Sequence, residues 1–426
     1  MIDINLIRET PQLVKENIKK KFQNEKLPLL DEAVKLDSQI RKLKTEAQEL
    51  RTERNTLSAR INEAKKANKD VKPILEKAKR IPDQIKTLED EETKLNISLT
   101  NIMLKIPNFI SKKTPFGKDA SQNKVISKGG KINKFTFPIK THVEIAEQLN
   151  MADFDSSARV SGKGFYYLKG DLALLNQALI RFAIDFMTKK KYLYIETPLM
   201  LNSQSIFASM DKKAIEQSVY SVRDEDLNLI GTAEQSLLAM HANETILESE
   251  LPKKYFSYSM CFRKEIGAHG INEKGLWRTH QFNKIEQFIF CRPEDSEKFY
   301  EELLKNSEEI LKKLDLPYRV LEICTGDLAD WKFRSADLEV YRPTTKEYGE
   351  VMSLSNCTDY QARKLNIKCL DSKGNKRVLH TLNDTALATS RILVAILENN
   401  QNKDGSVTIP KVLVPYVGKN KITRGV

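Results

Sequence analysis

Two heptad repeats dominate the first hundred residues of this 426-residue chain and constrain its fold more than any other feature. In each repeat, positions spaced alternately by four and three residues are almost all apolar. The first set comprises Leu36, Ile40, Leu43, Ala47, Leu50, Arg54, Leu57 and Ile61, and the second comprises Ala78, Ile81, Ile85, Leu88, Glu92, Leu95, Leu99 and Ile102. This spacing is typical of a coiled-coil seam. Because a short polar connector, 67–73, separates the repeats, we predict two helices that fold back as an antiparallel pair.

The predicted coiled coil is long and has a basic turn. From Leu30 to about Asn68 its first helix would extend roughly 57 Å at 1.5 Å per residue. Pro82 lies early in the second repeat, where it either kinks the helix or indicates a later start. Basic residues surround the turn: Arg60, Lys65, Lys66, Lys69, Lys72, Lys77, Lys79 and Arg80. They form either the solvated surface usual for a coiled coil or a surface that binds nucleic-acid phosphates.

Composition narrows the class of protein. The net charge of +12 is compatible with a polyanionic partner, although solubility alone would also explain it. The five cysteines include no CxxC pair, so we expect no disulfide framework. No apolar run approaches transmembrane length. We therefore expect a soluble, cytoplasmic protein without a membrane partner.

The chain divides into two expected domains. Residues 1–110 contain the coiled coil, and 111–426 form the second domain, of which 111–140, rich in Pro, Lys, Gly and Ser, is a connector. From Asp171 to about Lys190 the apolar residues have helical spacing, and an alternating strand follows up to Pro198. A long helix followed by a strand and a proline is often an oligomer interface, although core packing would equally explain it.

The most informative run of the second domain reads CFRKEIGAHGINEKGLWRTHQFNKIEQFIF, residues 261–290. Its pattern predicts a strand, a long polar loop and a second strand. Two arginines (Arg263 and Arg278), one aromatic ring (Phe282) and two carboxylates (Glu265 and Glu286) would surround one small volume. Such a set suits a ligand that carries phosphates, a flat base and an amine.

Two further segments carry polar residues beside apolar runs. In LIGTAEQSLLAM, Thr232 and Glu234 either face one side of a strand, where they would receive an ammonium and a hydroxyl group, or cap a helix. In EYGEVMSLSN, Glu350 and Ser353 lie beside small and apolar neighbours. There a carboxylate could hold a divalent ion that bridges phosphates, or the segment is a surface strand with polar edges.

The last informative segment reads HTLNDTALATSRILVAILENNQ, residues 380–401. Its apolar residues from Ala386 onward predict a buried helix, with Asn383, Asp384 and Thr385 as cap and entry turn. Arg391 lies within that helix among apolar neighbours. Because an unpaired arginine is costly there, it either meets a buried carboxylate or faces an anionic ligand.

Taken in order, these segments resemble the seryl-tRNA synthetase family of class II aminoacyl-tRNA synthetases. The resemblance covers nearly the whole chain, and the form ALATSR, with MHANE and SNCTDYQARKLNI, looks most like archaeal members. It implies an α+β fold, in which an antiparallel sheet of six to seven strands flanked by helices follows an antiparallel α-helical coiled coil. It also implies a homodimer, with 171–200 at the interface. The implied activity is ATP-dependent ligation of L-serine to tRNA(Ser), with tRNA(Sec) as a second candidate substrate and with ATP and Mg²⁺ as cofactors.

The resemblance also assigns site residues. Catalytic roles would fall to Arg263, Glu265 and Arg391. Residues implied for ATP are Arg263, Glu265, Thr279, Phe282, Glu350, Ser353 and Arg391, of which Glu350 and Ser353 would also serve Mg²⁺. Residues implied for serine are Thr232, Glu234, Arg263, Glu286, Asn383 and Thr385. The basic turn of the coiled coil would bind tRNA.

The chain departs from the family pattern in the loop IGAHGINEKG and in TGDLADWKFRSAD. His269 is unusual in that loop, Asn272 and Glu273 replace an Asp and a Thr, and Ala329 and Trp331 stand where other residues are common. Two alternatives therefore stay open. One is a relative that charges a carrier protein, although such relatives lack the coiled coil. The other is a scaffold protein without catalysis, which retention of the site residues opposes.

Overall fold

The structure, a computed structural model, describes residues 1–266, 270–271 and 273–424, without the side chain of Lys212. The chain forms two compact units, Ile2–Pro107 and Asn108–Val426, and Met1 groups with the second. The segment 111–140, predicted as a connector, contains an edge strand of the second unit's main sheet, Lys124–Gly129. At least this part of the segment therefore belongs to the second unit's fold.

The first unit consists of helices. They are α1 (Ile4–Glu9), α2 (Pro11–Lys20), α3 (Pro28–Lys66) and α4 (Lys72–Met103). The 39 residues of α3 extend about 58 Å at 1.5 Å per residue. The predicted coiled coil is confirmed. The alternative of a helix that starts later than its heptad pattern is wrong, because α4 already begins at Lys72 and Pro82 lies inside it.

The seam between α3 and α4 buries or partly buries the apolar residues of both heptad sets. Leu57, Ile81 and Ile85 form its buried core, and partly buried neighbours pack against them. Charged pairs cross the seam: Arg51 Nη2 lies 2.6 Å from Glu89 Oε1, and Lys77 Nζ lies 2.5 Å from Glu53 Oε1. Because such exposed pairs contribute little free energy, the apolar seam carries most of the pairing.

The second unit is built around an eight-stranded sheet. Its helices are α5 (His142–Gln148), α6 (Phe154–Ser161), α7 (Gly170–Lys189), α8 (Ser203–Ser209), α9 (Lys212–Ser218), α10 (Ala233–Ala239), α11 (Ser296–Lys313), α12 (Tyr360–Lys364), α13 (Thr389–Asn399) and α14 (Val414–Val417). Its strands are β1 (Lys124–Gly129), β2 (Ala152–Asp153), β3 (Tyr167–Leu168), β4 (Leu193–Tyr194), β5 (Met200–Leu201), β6 (Asn228–Leu229), β7 (Thr245–Leu247), β8 (Lys253–Phe262), β9 (Gln281–Cys291), β10 (Tyr318–Glu322), β11 (Arg334–Arg342), β12 (Glu347–Thr358), β13 (Lys368–Leu370), β14 (Lys376–Val378), β15 (His380–Ala388), β16 (Val407–Thr408) and β17 (Lys421–Ile422).

The main sheet has the strand order β1-β10-β11-β12-β15-β9-β8-β4. Every neighbouring pair is antiparallel except β4 and β8, which run parallel. Helices α7, α11 and α13 contribute to one large apolar core with the central strands. The predicted class of fold is confirmed, with eight strands instead of six to seven.

Helix α11 covers one face of the central strands, and the opposite face carries a cavity. Gln287 and Asp384 are paired across β9 and β15, and Ser307 of α11 donates a hydrogen bond to Asp384 Oδ2 at 2.5 Å. Since side chains alternate along a strand, their neighbours Glu286 and Thr385 face the other way. This alternation places β9 and β15 at the floor of the cavity.

The prediction that Asn383, Asp384 and Thr385 cap a helix is wrong. These residues lie in the middle of β15, and α13 begins only at Thr389. Strand β15 is buried on both faces, so its sequence lacks the apolar–polar alternation that reveals a half-buried strand. The helix that follows is equally apolar, which made the two segments look like one.

All five cysteines are buried and free. None of the helices in the described ranges is long and apolar enough to cross a membrane.

Candidate active site

A cavity of about 460 Å³ lies over the central strands of the main sheet. The residues implied for ATP and serine that line it are Thr232, Glu234, Arg263, Glu265, Thr279, Phe282, Glu350, Ser353, Asn383, Thr385 and Arg391. Glu286 is the exception: its side chain faces the same side of β9 but is only 1% exposed and does not line the cavity. The fold thus brings residues from four separate segments of the chain to one place.

The run 261–290 forms one wall, as strand, loop and strand. Arg263 follows β8, and its Nε donates to the carbonyl oxygen of Gly231 at 3.1 Å. Its Cζ lies 5.3 Å from the ring centroid of Phe282, near the start of β9. A cation and an aromatic face therefore lie side by side, and both are open to a ligand.

The loop between these strands adds a partly buried ion pair. Arg278 Nη1 lies 2.7 Å from Glu265 Oε2, and the Glu265 side chain is only 12% exposed. Glu265 has a φ of +52°, a left-handed conformation that non-glycine residues adopt at some energetic cost. Within the described part of the chain, the buried Thr279 Oγ1 has no hydrogen-bond partner, so this hydroxyl is available to a ligand.

Arg391, in the first turns of α13, forms the opposite wall. Its Nη1 donates to the backbone oxygen of Glu350 at 2.6 Å and lies 3.2 Å from Glu350 Oε2. Its Cζ lies 5.4 Å from the ring centroid of Trp277. The carboxylate that Arg391 meets is not buried, because the Glu350 side chain is 45% exposed, and Arg391 also lines the cavity.

Glu350 stays ionised at this wall. Burial by surrounding protein atoms favours the neutral form, but Arg391, Lys332 and Arg263 outweigh it and lower the pKa of Glu350. Lys332 Nζ also donates to Ser353 Oγ at 3.3 Å. In the described ranges, no three or more His, Cys, Asp or Glu residues are grouped to hold a metal ion. A divalent ion here would need oxygen ligands from a substrate besides Glu350 and Ser353.

The polar end of the cavity is built around the start of α10. Thr232 is the N-cap of this helix and accepts a hydrogen bond from the Glu234 backbone at 3.3 Å, so the helix-cap interpretation is right and the strand interpretation is wrong. Both side chains nevertheless line the cavity. Glu234 Oε1 accepts hydrogen bonds from Gln361 Nε2 at 2.7 Å and from Asn383 Nδ2 at 3.0 Å.

Two carboxylates, Glu234 and Glu286, and one lysine, Lys284, lie close together at this end. Lys284 Nζ lies 2.6 Å from Glu286 Oε2 and donates to Thr232 Oγ1 at 3.1 Å. Burial, followed by repulsion from Glu286, raises the pKa of Glu234 to about 7. A positively charged ligand group would favour the ionised form of Glu234, so this end of the cavity is suited to an ammonium group.

Sequence reasoning missed several cavity residues, among them Lys284, Lys332 and Trp277. A signal existed for Lys284, because it alternates on β9 with Phe282 and Glu286 and so shares their face. Nothing in the sequence marks Lys332 or Trp277. Trp331, noted as a departure from the family pattern, also lines the cavity. His269 and Asn272 lie outside the described residues.

The residues implied for tRNA belong to the first unit. Arg60, Lys65, Lys66, Lys69, Lys72, Lys77, Lys79 and Arg80 lie at or near the turn between α3 and α4, and all are exposed. Of these, Lys77 forms the ion pair with Glu53 described above.

The second unit defines the class. Residues 218–400, which contain every cavity residue from Ser218 to Arg391, match the model of the tRNA synthetase class II core domain (G, H, P, S and T). The second unit, with its largely antiparallel sheet and its cavity, therefore contains the core domain of a class II aminoacyl-tRNA synthetase.

The first unit and whole-chain relatives narrow the class to one family. Residues 1–110 match the seryl-tRNA synthetase N-terminal domain. A serine–tRNA ligase of Methanospirillum hungatei is 46% identical over 74% of this chain and 75% of its own. Seryl-tRNA synthetase from Pyrococcus horikoshii, solved in complex with ATP, superposes with a TM-score of 0.93 at 40% identity over 100% of both chains. The cytoplasmic enzyme of Naegleria fowleri, solved with AMP, gives 0.88 at 30% identity over 100% of this chain and 99% of its own. The chain belongs to the seryl-tRNA synthetase family, as its motifs predicted.

Proposed function

We propose that the protein is a serine–tRNA ligase, which activates L-serine with ATP and transfers the seryl group to the 3′ end of tRNA(Ser). One observation carries the proposal. A single cavity joins a wall of cations and an aromatic ring, suited to a nucleoside triphosphate, to an acidic end suited to a small amino acid. The relatives named above are serine–tRNA ligases, and one of them is solved with ATP.

ATP binds along the wall formed by the run 261–290 and Arg391. The adenine stacks on Phe282 and contacts Thr279, whose hydroxyl has no other described partner. Arg263 and Glu265 hold the α-phosphate and the adenine, and Arg391 neutralises the γ-phosphate. Because these cations are already in place, little reorganisation is needed when the phosphates bind.

Serine binds at the acidic end. Its ammonium group pairs with Glu234 beside Thr232, and its hydroxyl contacts Asn383 and Thr385. Glu286, which pairs with Lys284, completes the serine site as the carboxylate that recognises the ammonium and hydroxyl groups. Hydrogen bonds to the hydroxyl group distinguish serine from alanine and glycine. Threonine also has a hydroxyl group, so it must be rejected by steric exclusion of its extra methyl group, which changes the binding free energy by only about 1–3 kcal/mol.

The reaction needs no protein nucleophile. A serine carboxylate oxygen attacks the α-phosphorus in line and pyrophosphate leaves, which yields seryl-adenylate. A hydroxyl of the 3′-terminal adenosine then attacks the seryl carbonyl carbon and AMP leaves. Glu350 and Ser353 would hold a Mg²⁺ ion together with substrate oxygens, and the ion would neutralise phosphate charge when bound.

We further propose that the basic turn of the coiled coil binds tRNA, that the protein is a homodimer with 171–200 at its interface, and that it works in the cytoplasm. The exposure of all the basic turn residues supports the first point. Exposed apolar side chains on α7, β4 and β5, namely Leu174, Leu193 and Met200, support the second. Five free cysteines support the third.

Acylation of tRNA(Ser) with labelled serine tests the proposal. We expect Ser-tRNA to form only with ATP, Mg²⁺ and serine together. Reversing the charge of Lys65, Lys66 and Lys69 to Glu should abolish acylation and spare adenylate formation. A matched control reverses the exposed Lys19 and Lys20 of α2. Absence of Ser-tRNA with the wild-type protein would exclude the ligase function.

A further inference from the structure

Trp277 lines the cavity, supports Arg391 and is itself held by groups outside the cavity. Arg391 Nε donates to the Trp277 carbonyl oxygen at 3.3 Å, in addition to the contact of its Cζ with the indole ring. Arg342 Cζ lies 4.4 Å from the same ring centroid. On β12, a Cβ added to Gly349 would lie 2.3 Å from Trp277 Cζ2. The ring therefore has little freedom to move.

Arg342 is held by the buried carboxylate of Glu398, on α13. Its Nε donates to Oε2 at 3.1 Å and its Nη2 to Oε1 at 2.7 Å, a bidentate arrangement. Thr344 Oγ1 donates to Oε2 at 2.7 Å. Burial favours the neutral form of Glu398, yet hydrogen bonds from His142, Arg342 and Thr344 lower its pKa to about 2. Glu398 is thus a fixed negative charge at 0% exposure.

Glu398 also reaches the loop before β9 by a second route. His142 Nδ1 lies 3.0 Å from Glu398 Oε1, and its Nε2 accepts the backbone N–H of Leu276 at 3.1 Å. These partners assign the neutral tautomer with its proton on Nδ1. Gly275 adopts a φ of +144°, and a Cβ there would lie 2.4 Å from His142 Nε2. The end of the loop, just before Trp277, is therefore pinned to α5.

We propose that Glu398 is a positioning residue for ATP, which holds Arg391 through Arg342 and Trp277, and holds the end of the loop through His142. Glu398 lies seven residues after Arg391 on α13, about two turns away and on the same side of the helix. One helix thus carries both the phosphate-binding cation and the anchor of the ring that supports it. The proposal rests on the proposed function, which supplies ATP as the ligand.

Arg342→Lys is the first test. Lysine keeps the positive charge but loses the bidentate bond and the planar stack. We expect the Kd for ATP, measured by calorimetry without serine, and the KM for ATP in pyrophosphate exchange to rise about tenfold. The KM for serine should change less than about twofold. If Arg342 had a purely structural role, the variant would bind ATP and serine equally weakly, or its Tm would fall without a larger effect on ATP than on serine.

A matched control exists on the same sheet. Arg319 Cζ lies 4.7 Å from the ring of Tyr348, and its Nε lies 2.5 Å from Glu339 Oε2, so the same kind of unit occurs there. Neither Arg319 nor Tyr348 lines the cavity. We expect Arg319→Lys to leave both KM values unchanged.

Glu398→Gln is the second variant, in case Arg342→Lys does not fold. It should weaken ATP binding at least as much, because it perturbs both routes, and again leave serine binding nearly intact. Wild-type ATP affinity in either folded variant, or an equal loss for serine, would overturn the positioning role. Failure of the proposed function is distinguishable, because then the wild-type protein itself would show no serine-dependent exchange.

Discussion

Glu234→Gln separates the stability of the site from its function. The substitution keeps the shape of the side chain and an oxygen that can accept from Gln361 and Asn383. It also removes the negative charge of Glu234. Burial and repulsion from Glu286 make that charge unfavourable and raise the pKa of Glu234 to about 7. We therefore expect a more stable protein that binds serine poorly.

The magnitude follows from the pKa. The folded-state value of about 7 lies above the ordinary value of 4.5, so the folded protein keeps a proton that the unfolded chain releases. The stability from the neutral carboxyl is present below about pH 4.5 and is lost as pH rises through about 7. At 1.36 kcal/mol per pH unit, the loss amounts to about 3 kcal/mol. With an unfolding entropy of about 2.1 cal/mol/K per residue over 426 residues, this corresponds to about 3 °C in Tm.

Calorimetric scans between pH 5 and pH 8.5 measure this effect. The Tm of Glu234→Gln should match that of the wild-type protein near pH 5 and exceed it by about 3 °C at pH 8. Serine KM should rise about 100-fold, since a hydrogen bond to a charged group is worth up to about 3 kcal/mol. In the wild-type protein, serine KM should rise as pH falls below about 7.

The exposed Glu225 supplies the control, because Glu225→Gln should change neither Tm nor serine KM. An equal pH dependence of Tm in Glu234→Gln and the wild-type protein would refute the raised pKa. Wild-type serine KM in that variant would refute the role of the carboxylate in ammonium binding.

Three further outcomes are expected. Gly349→Ala should raise the KM for ATP about 5- to 30-fold, because its Cβ would displace the Trp277 ring, and a wild-type value would contradict the close packing. Arg391→Ala should abolish pyrophosphate exchange while circular dichroism shows a retained fold, and full exchange would remove Arg391 from the phosphate site. Deletion of about 36–102 should spare exchange and abolish acylation of tRNA, whereas equal loss of both would indicate a folding role for the coiled coil.

The parts of the fold that could be predicted are those in which apolar residues recur at a regular spacing along the sequence. The heptad seams of α3 and α4 and the strand–loop–strand of 261–290 each repeat within a few residues, and packing follows that pattern directly. Strand β15 could not be distinguished from the helix after it, because sheet neighbours and helices bury both of its faces. Strand β1 was hidden in a segment whose composition is typical of a connector.

The residues of the candidate site were predictable mainly as a set with an order along the chain, which carried the family resemblance. The residues that hold these site residues in place could not be predicted. Glu398, Arg342, His142 and Trp277 come from four separate segments, and nothing in the sequence marks these four positions as a set. Only the fold brings them together, through the bidentate pair and the stacked rings. Lys284 was partly predictable, because its alternation with Phe282 and Glu286 along the strand can be read from the sequence, whereas its ion pair with Glu286 cannot.

Amino-acid-dependent ATP–pyrophosphate exchange tests the central claim most directly. Wild-type protein is assayed with serine, threonine, alanine and glycine at equal concentrations, with ATP and Mg²⁺. We predict rapid exchange with serine and exchange slower by about 100-fold or more with the other three. No exchange with serine, or faster exchange with another amino acid, would contradict the assignment of the acidic end of the cavity to serine.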